Sequence, residues 1–401
     1  MRTSVKEGVD MGGARPATRF AYALLPISWF AWLWNFSYRM MIPALLPSIQ
    51  DSLSLPNWMA GALVGALNLG YAISAYPSGL CSAKFGPRNV IALGAATSAV
   101  FALLLSIAKS YAAMVAFAFA AGLGLGVYLP QAMSLLSEHY GERRRGSIIG
   151  IHETAAPLGQ MVGPIWAGAM LSSLGWAGCL RAWALPGALI AIAFLALAPK
   201  RGGGPKRIEV APGGREWPLG LYLATALLIS FVWSANLGLI SMIPLYLVRS
   251  SFADAAFAAF LVGVTRFTGA IGQLAGGFLS DAIGRLRVLT AIVLLTAVST
   301  IGVAFAPYGP AMIAFMLAQA TAASAFFPVA YAAISDNTSA MNRAKVIGVV
   351  NTSSGILGGT LSPMMIGYLA DGFGFQAAFL YPVIAGLLAC PLVLYLRARL
   401  L

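Results

Sequence analysis

Apolar residues are strung along this chain in long blocks separated by short polar breaks. The blocks fall at 20–48, 57–82, 89–109, 111–137, 147–173, 176–198, 218–248, 255–280, 287–307, 309–335, 346–370 and 375–396. A helix crossing a bilayer core needs about 20 mostly apolar residues, so the pattern predicts an all-α membrane protein with twelve transmembrane helices. The one long polar break is 199–217, which holds Gly202-Gly203-Gly204-Pro205 and five basic residues. It divides the chain into a polar tail (1–19), an N-terminal six-helix bundle (20–198), a cytoplasmic linker (199–217) and a C-terminal six-helix bundle (218–401). The first span is expected to serve as an uncleaved insertion signal.

Basic residues test the count. With the N-terminus inside, inner segments hold Arg2, Lys6, Arg15, Arg19, Lys84, Arg88, Arg143, Arg144 and Arg145 in the first half. In the linker and second half they hold Lys200, Arg201, Lys206, Arg207, Arg215, Arg285, Arg287, Arg343, Lys345, Arg397 and Arg399. Outer segments hold only Lys109 and Arg249. A miscounted span would scramble this alternation, so the positive-inside rule predicts both termini in the cytoplasm.

Composition agrees. The chain is 59% hydrophobic and 9% charged, against about 25% charged in soluble domains. The net charge of +13 sits in the loop clusters just described and not in an aromatic-basic stretch, so it reads as an orientation signal and excludes a nucleic-acid partner. Cys81, Cys179 and Cys390 are far apart and lack metal-ligand spacing, so no metal or other cofactor is expected.

The halves repeat. A shift of 198 takes Leu63-Val64-Gly65 to Leu261-Val262-Gly263, Gly86 to Gly284, Pro130 to Pro328, Arg145 to Arg343 and Thr154 to Thr352. In the first span the shift is 201, taking Trp32 to Trp233, Asn35 to Asn236 and Met41-Ile42-Pro43 to Met242-Ile243-Pro244. Six spans separate equivalent points, so these are parallel repeats, an arrangement that places a substrate site between the halves near the midplane.

Several stretches resemble the major facilitator superfamily. That family carries a Gly-x-x-x-Asp-Arg-x-Gly-Arg-Arg loop after its second span. Span eight here ends in a similar series, with Gly277, Asp281, Gly284, Arg285 and Arg287, and span two keeps the spacing with Ala83 in place of the Asp. The fifth-span series Gly150, Gly159, Gly163, Pro164, Ala167 and Gly168 is similar to a motif of proton-linked exporters in the superfamily, and it also suits close helix packing. The series Asn35-Phe36-Ser37-Tyr38-Arg39 is similar to organic-anion carriers. The resemblance implies a major facilitator fold, transport by alternating access, and a cytoplasmic gate built from Gly277, Asp281, Gly284, Arg285 and Arg287 with Glu138, Arg145, Asp336 and Arg343.

Charges inside a bilayer mark function or pairing. Arg39 falls in mid-span one, Arg266 in mid-span eight at the position equivalent to Asn68, and His152 and Glu153 in span five. Arg39 shares a helix face with Asn35, whose repeat mate is Asn236. Arg39, Arg266, Asn35, Asn236 and Asn68 are therefore candidate substrate ligands, with Tyr38, Trp233, Tyr128 and Gln131 as cavity lining. Glu153 is the candidate proton carrier and His152 its neighbour on the small-residue stripe, each with a structural alternative as counter-ion or packing group. These residues predict a monomeric secondary transporter of a small organic anion, a carboxylate, coupled to protons, in a plasma (inner) membrane. A proton-driven drug exporter is the alternative reading, and a membrane sensor or enzyme is a third that lacks a nucleophile-base set.

Overall fold

A computed structural model describes residues 19–140, 142–198, 218–338, 346–348, 350 and 352–400. They form twelve helices. α1 spans Arg19–Leu53, α2 Asn57–Phe85, α3 Pro87–Ser106 and α4 Tyr111–His139. α5 runs from Glu142 to Gly175, where positive φ (63°) turns the chain, and α6 ends at Leu197. α7 is Leu219–Arg249, α8 Ala255–Ile283, α9 Arg285–Phe305 and α10 Pro310–Asn337. α11 closes with Ser362–Phe373, and α12 covers Phe375–Leu400. The helices follow the apolar blocks to within a few residues, because each block must satisfy its own backbone hydrogen bonds in the bilayer.

The repeat is visible in the backbone. Gly86 (φ 80°) ends α2 and gives its N–H to Ser82 O, while Gly284 (φ 101°) ends α8 and gives its N–H to Ser280 O. A side chain at either position would be strained. Departures from regular helix are not symmetric. α7 carries a π-helical turn at Ser234–Gly238 and α11 another at Gly355–Leu361, whereas α1 and α5 have none there. The two turns pack together: Ser362 Oγ donates to Ser234 O, and a methyl on Gly358 would fall 2.3 Å from Trp233 Cβ. The apolar periodicity gave no sign of either turn.

Small residues set the distances between helices. Gly159 and Gly163 press α5 onto α1, against Leu33 O and Ser37 O, and Ser37 Oγ donates to Gly159 O. Gly168 brings α5 against Ala256 O of α8 in the other bundle. The fifth-span glycine series therefore serves packing within and between bundles. Across the bundle interface, a methyl on Gly61 of α2 would lie 2.2 Å from Pro363 O of α11, and one on Gly367 of α11 2.3 Å from Asn57 O.

All of these inter-bundle contacts lie toward the face opposite the chain ends. Polar links close that same face. Arg249 at the end of α7 binds Gln50 Oε1 (2.7 Å) and pairs with Asp51 of α1, and Asp371 of α11 accepts from the N–H groups of Asn57 and Trp58 at the start of α2, both at 2.9 Å. The carboxylate thus caps a helix N-terminus across the interface.

At the face bearing the chain ends, Gly79 and Gly277 have open space beside them. Arg285 there joins Asp281 and Asp336, all three within the C-terminal bundle. Asp281, Arg285 and Asp336 form a clamp inside one bundle, Arg287 is exposed, and Glu138 accepts from Ser134 of its own helix. Arg343 and the side chain of Arg145 lie outside the described residues. Among the described residues, the inter-bundle links named above all lie at the face opposite the chain ends.

Asp371→Asn keeps the side-chain shape but removes the capping charge, at a cost of about 1 kcal/mol. The expected outcome is roughly fivefold faster thiol labelling of an Ile49→Cys reporter, a residue buried at the closed face, in a protein with exposed Cys81 replaced by Ser. An unchanged labelling rate would remove Asp371 from that closure.

Candidate functional site

Two arginines lie in the membrane-spanning core, one in each bundle. Arg39 of α1 is 4% exposed and Arg266 of α8 is 2% exposed. A guanidinium in such surroundings must be satisfied by donors' partners or by a counter-charge. Arg39 Nη2 donates to Asn68 Oδ1 (3.0 Å), and its guanidinium lies over the ring of Tyr71, 4.0 Å from the centroid, with Phe36 at 5.3 Å. Asn68 is oriented for this because its Nδ2 donates to Val64 O one turn back. Arg266 sits where α8 breaks between Thr265 and Phe267, and its Nη2 donates to Gln319 Oε1 of α10 (2.9 Å). Gln319 in turn donates to Asn236 Oδ1 of α7 (3.2 Å). Among the described residues neither arginine meets a carboxylate, and the Nε of each is buried without an acceptor. Both are held by neutral amides, which orient the fork and leave its charge uncompensated.

The other candidates divide. Asn35 turns away from Arg39 and donates to Leu125 O of α4, and Tyr38 is buried next to Trp34. The expected convergence of Asn35 and Asn236 on one cavity is therefore not formed, because Asn35 lies on the face of α1 that packs inside its own bundle. Gln131 binds Ser78 Oγ of α2 (2.9 Å), and Trp233 of α7 stacks against Phe327 of α10. Asn68, a predicted ligand, binds Arg39 directly, whereas Gln319, the partner of Arg266, is not among the sequence candidates. Gln319 offered one signal, a long amide in the middle of an apolar span.

A second polar set lies in the N-terminal bundle. His152 is fully buried, stacked on Trp32, with Nε2 3.0 Å from Tyr128 Oη and Nδ1 3.0 Å from Glu153 Oε1. Tyr128 Oη also contacts Ser28 O. Glu153 is the exposed member, its side chain 36% accessible. His152 lies in the packing of α5 against α1 and at the same time meets Glu153.

Comparison with known proteins bears on this arrangement. The sequence profile of the Major Facilitator Superfamily matches residues 28–269 and 223–400. The hexuronate transporter of Bacillus subtilis (strain 168) is 24% identical over 393 residues, 90% of this chain and 92% of that protein. The 3-(3-hydroxy-phenyl)propionate transporter of Escherichia coli (strain K12) is 26% identical over 262 residues, 62% of this chain and 61% of that protein. Among solved structures, a bacterial homolog of the human lysosomal transporter Spinster, in an inward-facing and occupied conformation, superposes with a TM-score of 0.82 at 20% identity, covering 97% of this chain and 98% of that one. A D-xylose-proton symporter superposes at 0.76 with 16% identity over 92% of this chain and 97% of that one. Twelve helices in two parallel repeats, polar groups buried at mid-membrane and a profile match along nearly the whole chain make this multi-pass membrane protein a transporter of the major facilitator superfamily.

Proposed function

We propose that the protein carries a small carboxylate across the membrane by alternating access, together with a proton. The observation that carries this is the pair of buried arginines, one per bundle, each positioned by an amide and each with an unfilled Nε donor. A planar guanidinium holds a carboxylate through two parallel hydrogen bonds, and the bond gains strength where water is excluded. Carboxylates supply what both sites lack, an acceptor and a negative charge. Relatives named for hexuronate, 3-(3-hydroxy-phenyl)propionate and 4-hydroxybenzoate support that class. A buried cationic pair argues against the cationic drugs an exporter would carry.

We take the face that holds the chain ends as the open, cytoplasmic one, in keeping with the distribution of basic residues, in a plasma (inner) membrane. The described state is then open inward. Closing that side would bring the Asp281–Arg285–Asp336 clamp toward Glu138, and opening the other would break Arg249–Asp51 and the Asp371 cap. Both arginines belong to one chain, so a monomer is a complete unit. Glu153, next to His152, is the group that would carry the proton.

The first test is the melting temperature of the purified protein with panels of carboxylates and of drug-like cations. A carboxylate present at 100 times its Kd is expected to add about 2.7 kcal/mol of stability. Arg39→Lys keeps the charge but not the fork, and is expected to weaken binding at least tenfold, with Arg266→Lys doing the same. Stabilisation by cations alone, unchanged in both variants, would overturn the carboxylate reading. For the gate, Asp281→Asn is expected to slow turnover several-fold while leaving the Kd of the stabilising carboxylate within twofold. Equal loss of both would place Asp281 in binding instead.

A further inference from the structure

We infer that Tyr128, His152 and Glu153 form a relay in which one proton is held between the His152 ring and the Glu153 carboxylate, with the ring tautomer dictated by Tyr128. The inference rests on the proton-coupled reading above and deepens it from a single carboxylate to a defined three-residue device.

The argument is one of donors and acceptors. Ser28 O is a carbonyl and can only accept, and it contacts Tyr128 Oη. Were the hydroxyl hydrogen directed elsewhere, two oxygens would face each other with nothing between them. Tyr128 therefore donates to Ser28 O, and its lone pairs are left for His152. Nε2, at 3.0 Å, must then carry a hydrogen. A neutral ring protonated on Nε2 has a bare Nδ1, yet Nδ1 lies 3.0 Å from Glu153 Oε1. A bare nitrogen facing a carboxylate oxygen is repulsive, and the ring nitrogen lies on a fully buried side chain. One proton must occupy that contact, either on the ring as imidazolium beside carboxylate or on Glu153 as an acid donating to Nδ1. In both arrangements the pair is neutral.

Loss of that proton makes the pair singly negative and breaks the Nδ1–Oε1 hydrogen bond. Glu153, the accessible member, is then free to turn from the ring. The groups that pack on the pair are Tyr128 of α4 and Trp32 of α1, with Trp29 of α1 bound to neighbouring Thr154. Arg39 is the buried cation of the same bundle. A deprotonated Glu153 therefore competes with an incoming anion for the field of Arg39, while a protonated pair leaves Arg39 to the anion. Proton and carboxylate binding favour each other, and the coupling is reciprocal. Tyr128 is a positioning residue: it touches neither proton nor anion but fixes which ring nitrogen meets Glu153.

The chain has two histidines, so His139→Gln, at an exposed site, leaves His152 as the sole imidazole signal. Nitrogen-15 NMR of the full chain in lipid nanodiscs across a pH series is expected to show Nε2 protonated throughout and the Nδ1 signal alone changing. Tyr128→Phe keeps the ring stack and is expected to yield a mixture of both tautomers. In parallel, the affinity for 4-hydroxybenzoate is expected to fall as pH rises above the step seen in the Nδ1 signal, approaching tenfold per pH unit for one linked proton, and to be flat in Glu153→Gln. An Nδ1–H ring with bare Nε2 in the wild type overturns the relay even if Tyr128→Phe does not fold. A pH-independent affinity beside the expected tautomer overturns the coupling. Failure of all carboxylates to bind, with the expected tautomer and pH response of the ring, would sink the carrier reading and leave the proton device standing.

Discussion

A charge in the interior of a bilayer has to be compensated locally, because neither water nor distant counter-ions reach it, and this constraint organises the protein around Arg39 and Arg266. Everything near them is arranged to orient a guanidinium without neutralising it. Asn68 and Gln319 present amide oxygens, Tyr71 presents a ring face, and further bonds to Val64 O and Asn236 fix the amides. An aspartate in either position would have given a stable, inert ion pair. Amides give directed hydrogen bonds and leave each guanidinium without a carboxylate partner among the described residues, as the proposed recognition and release of an anion would need.

The repeats explain how such a site is assembled and why it is not symmetric. Equivalent backbones supply the frame: matched glycines end α2 and α8, and Gly61 and Gly168 allow each of two inter-bundle contacts to close to backbone distance. Onto that frame the chemistry is placed differently. Position 68 of α2 carries Asn, and its mate on α8 carries Arg266. The relay of Tyr128, His152 and Glu153 has no equivalent in the C-terminal bundle, where the same positions hold Phe326, Val350 and Asn351. The π-helical turns belong to α7 and α11 alone. An ancestral symmetry sets the crossing geometry, and side-chain divergence confines the proposed proton chemistry to one half.

What the sequence made legible follows from which forces are local. The spans were legible because hydrocarbon thickness imposes a length on every apolar run, and the turn between α5 and α6 falls at Gly175, in the gap between two blocks. The arginines were legible because charge is rare in such runs. Their partners were not. Gln319 lies 53 residues from Arg266, and Asp371 caps α2 from 314 residues away; pairings of that range depend on helix rotation, which a one-residue error reverses. Asn35 illustrates it: spacing alone puts it on the face of Arg39, and its amide packs against Leu125 O inside its own bundle. The closure formed by Arg249, Asp51 and Asp371 was missed because outer loops carry few charges and were read only as an orientation signal.

The division of cations between bundles bears directly on how transport would proceed. With one guanidinium in each half, an anion between the halves is attracted to both, and its binding favours their approach. In the described arrangement the bundles already meet at the face opposite the chain ends, so in the proposed cycle approach at the other face would enclose the anion. Protonation of the Glu153 pair would remove a negative charge from the N-terminal side of that space and favour the same enclosure. Release would follow the reverse order, with proton loss restoring that charge before the bundles part. A carrier of the proposed kind would need no large rearrangement at the site itself, only a change in the charge of the Glu153 pair.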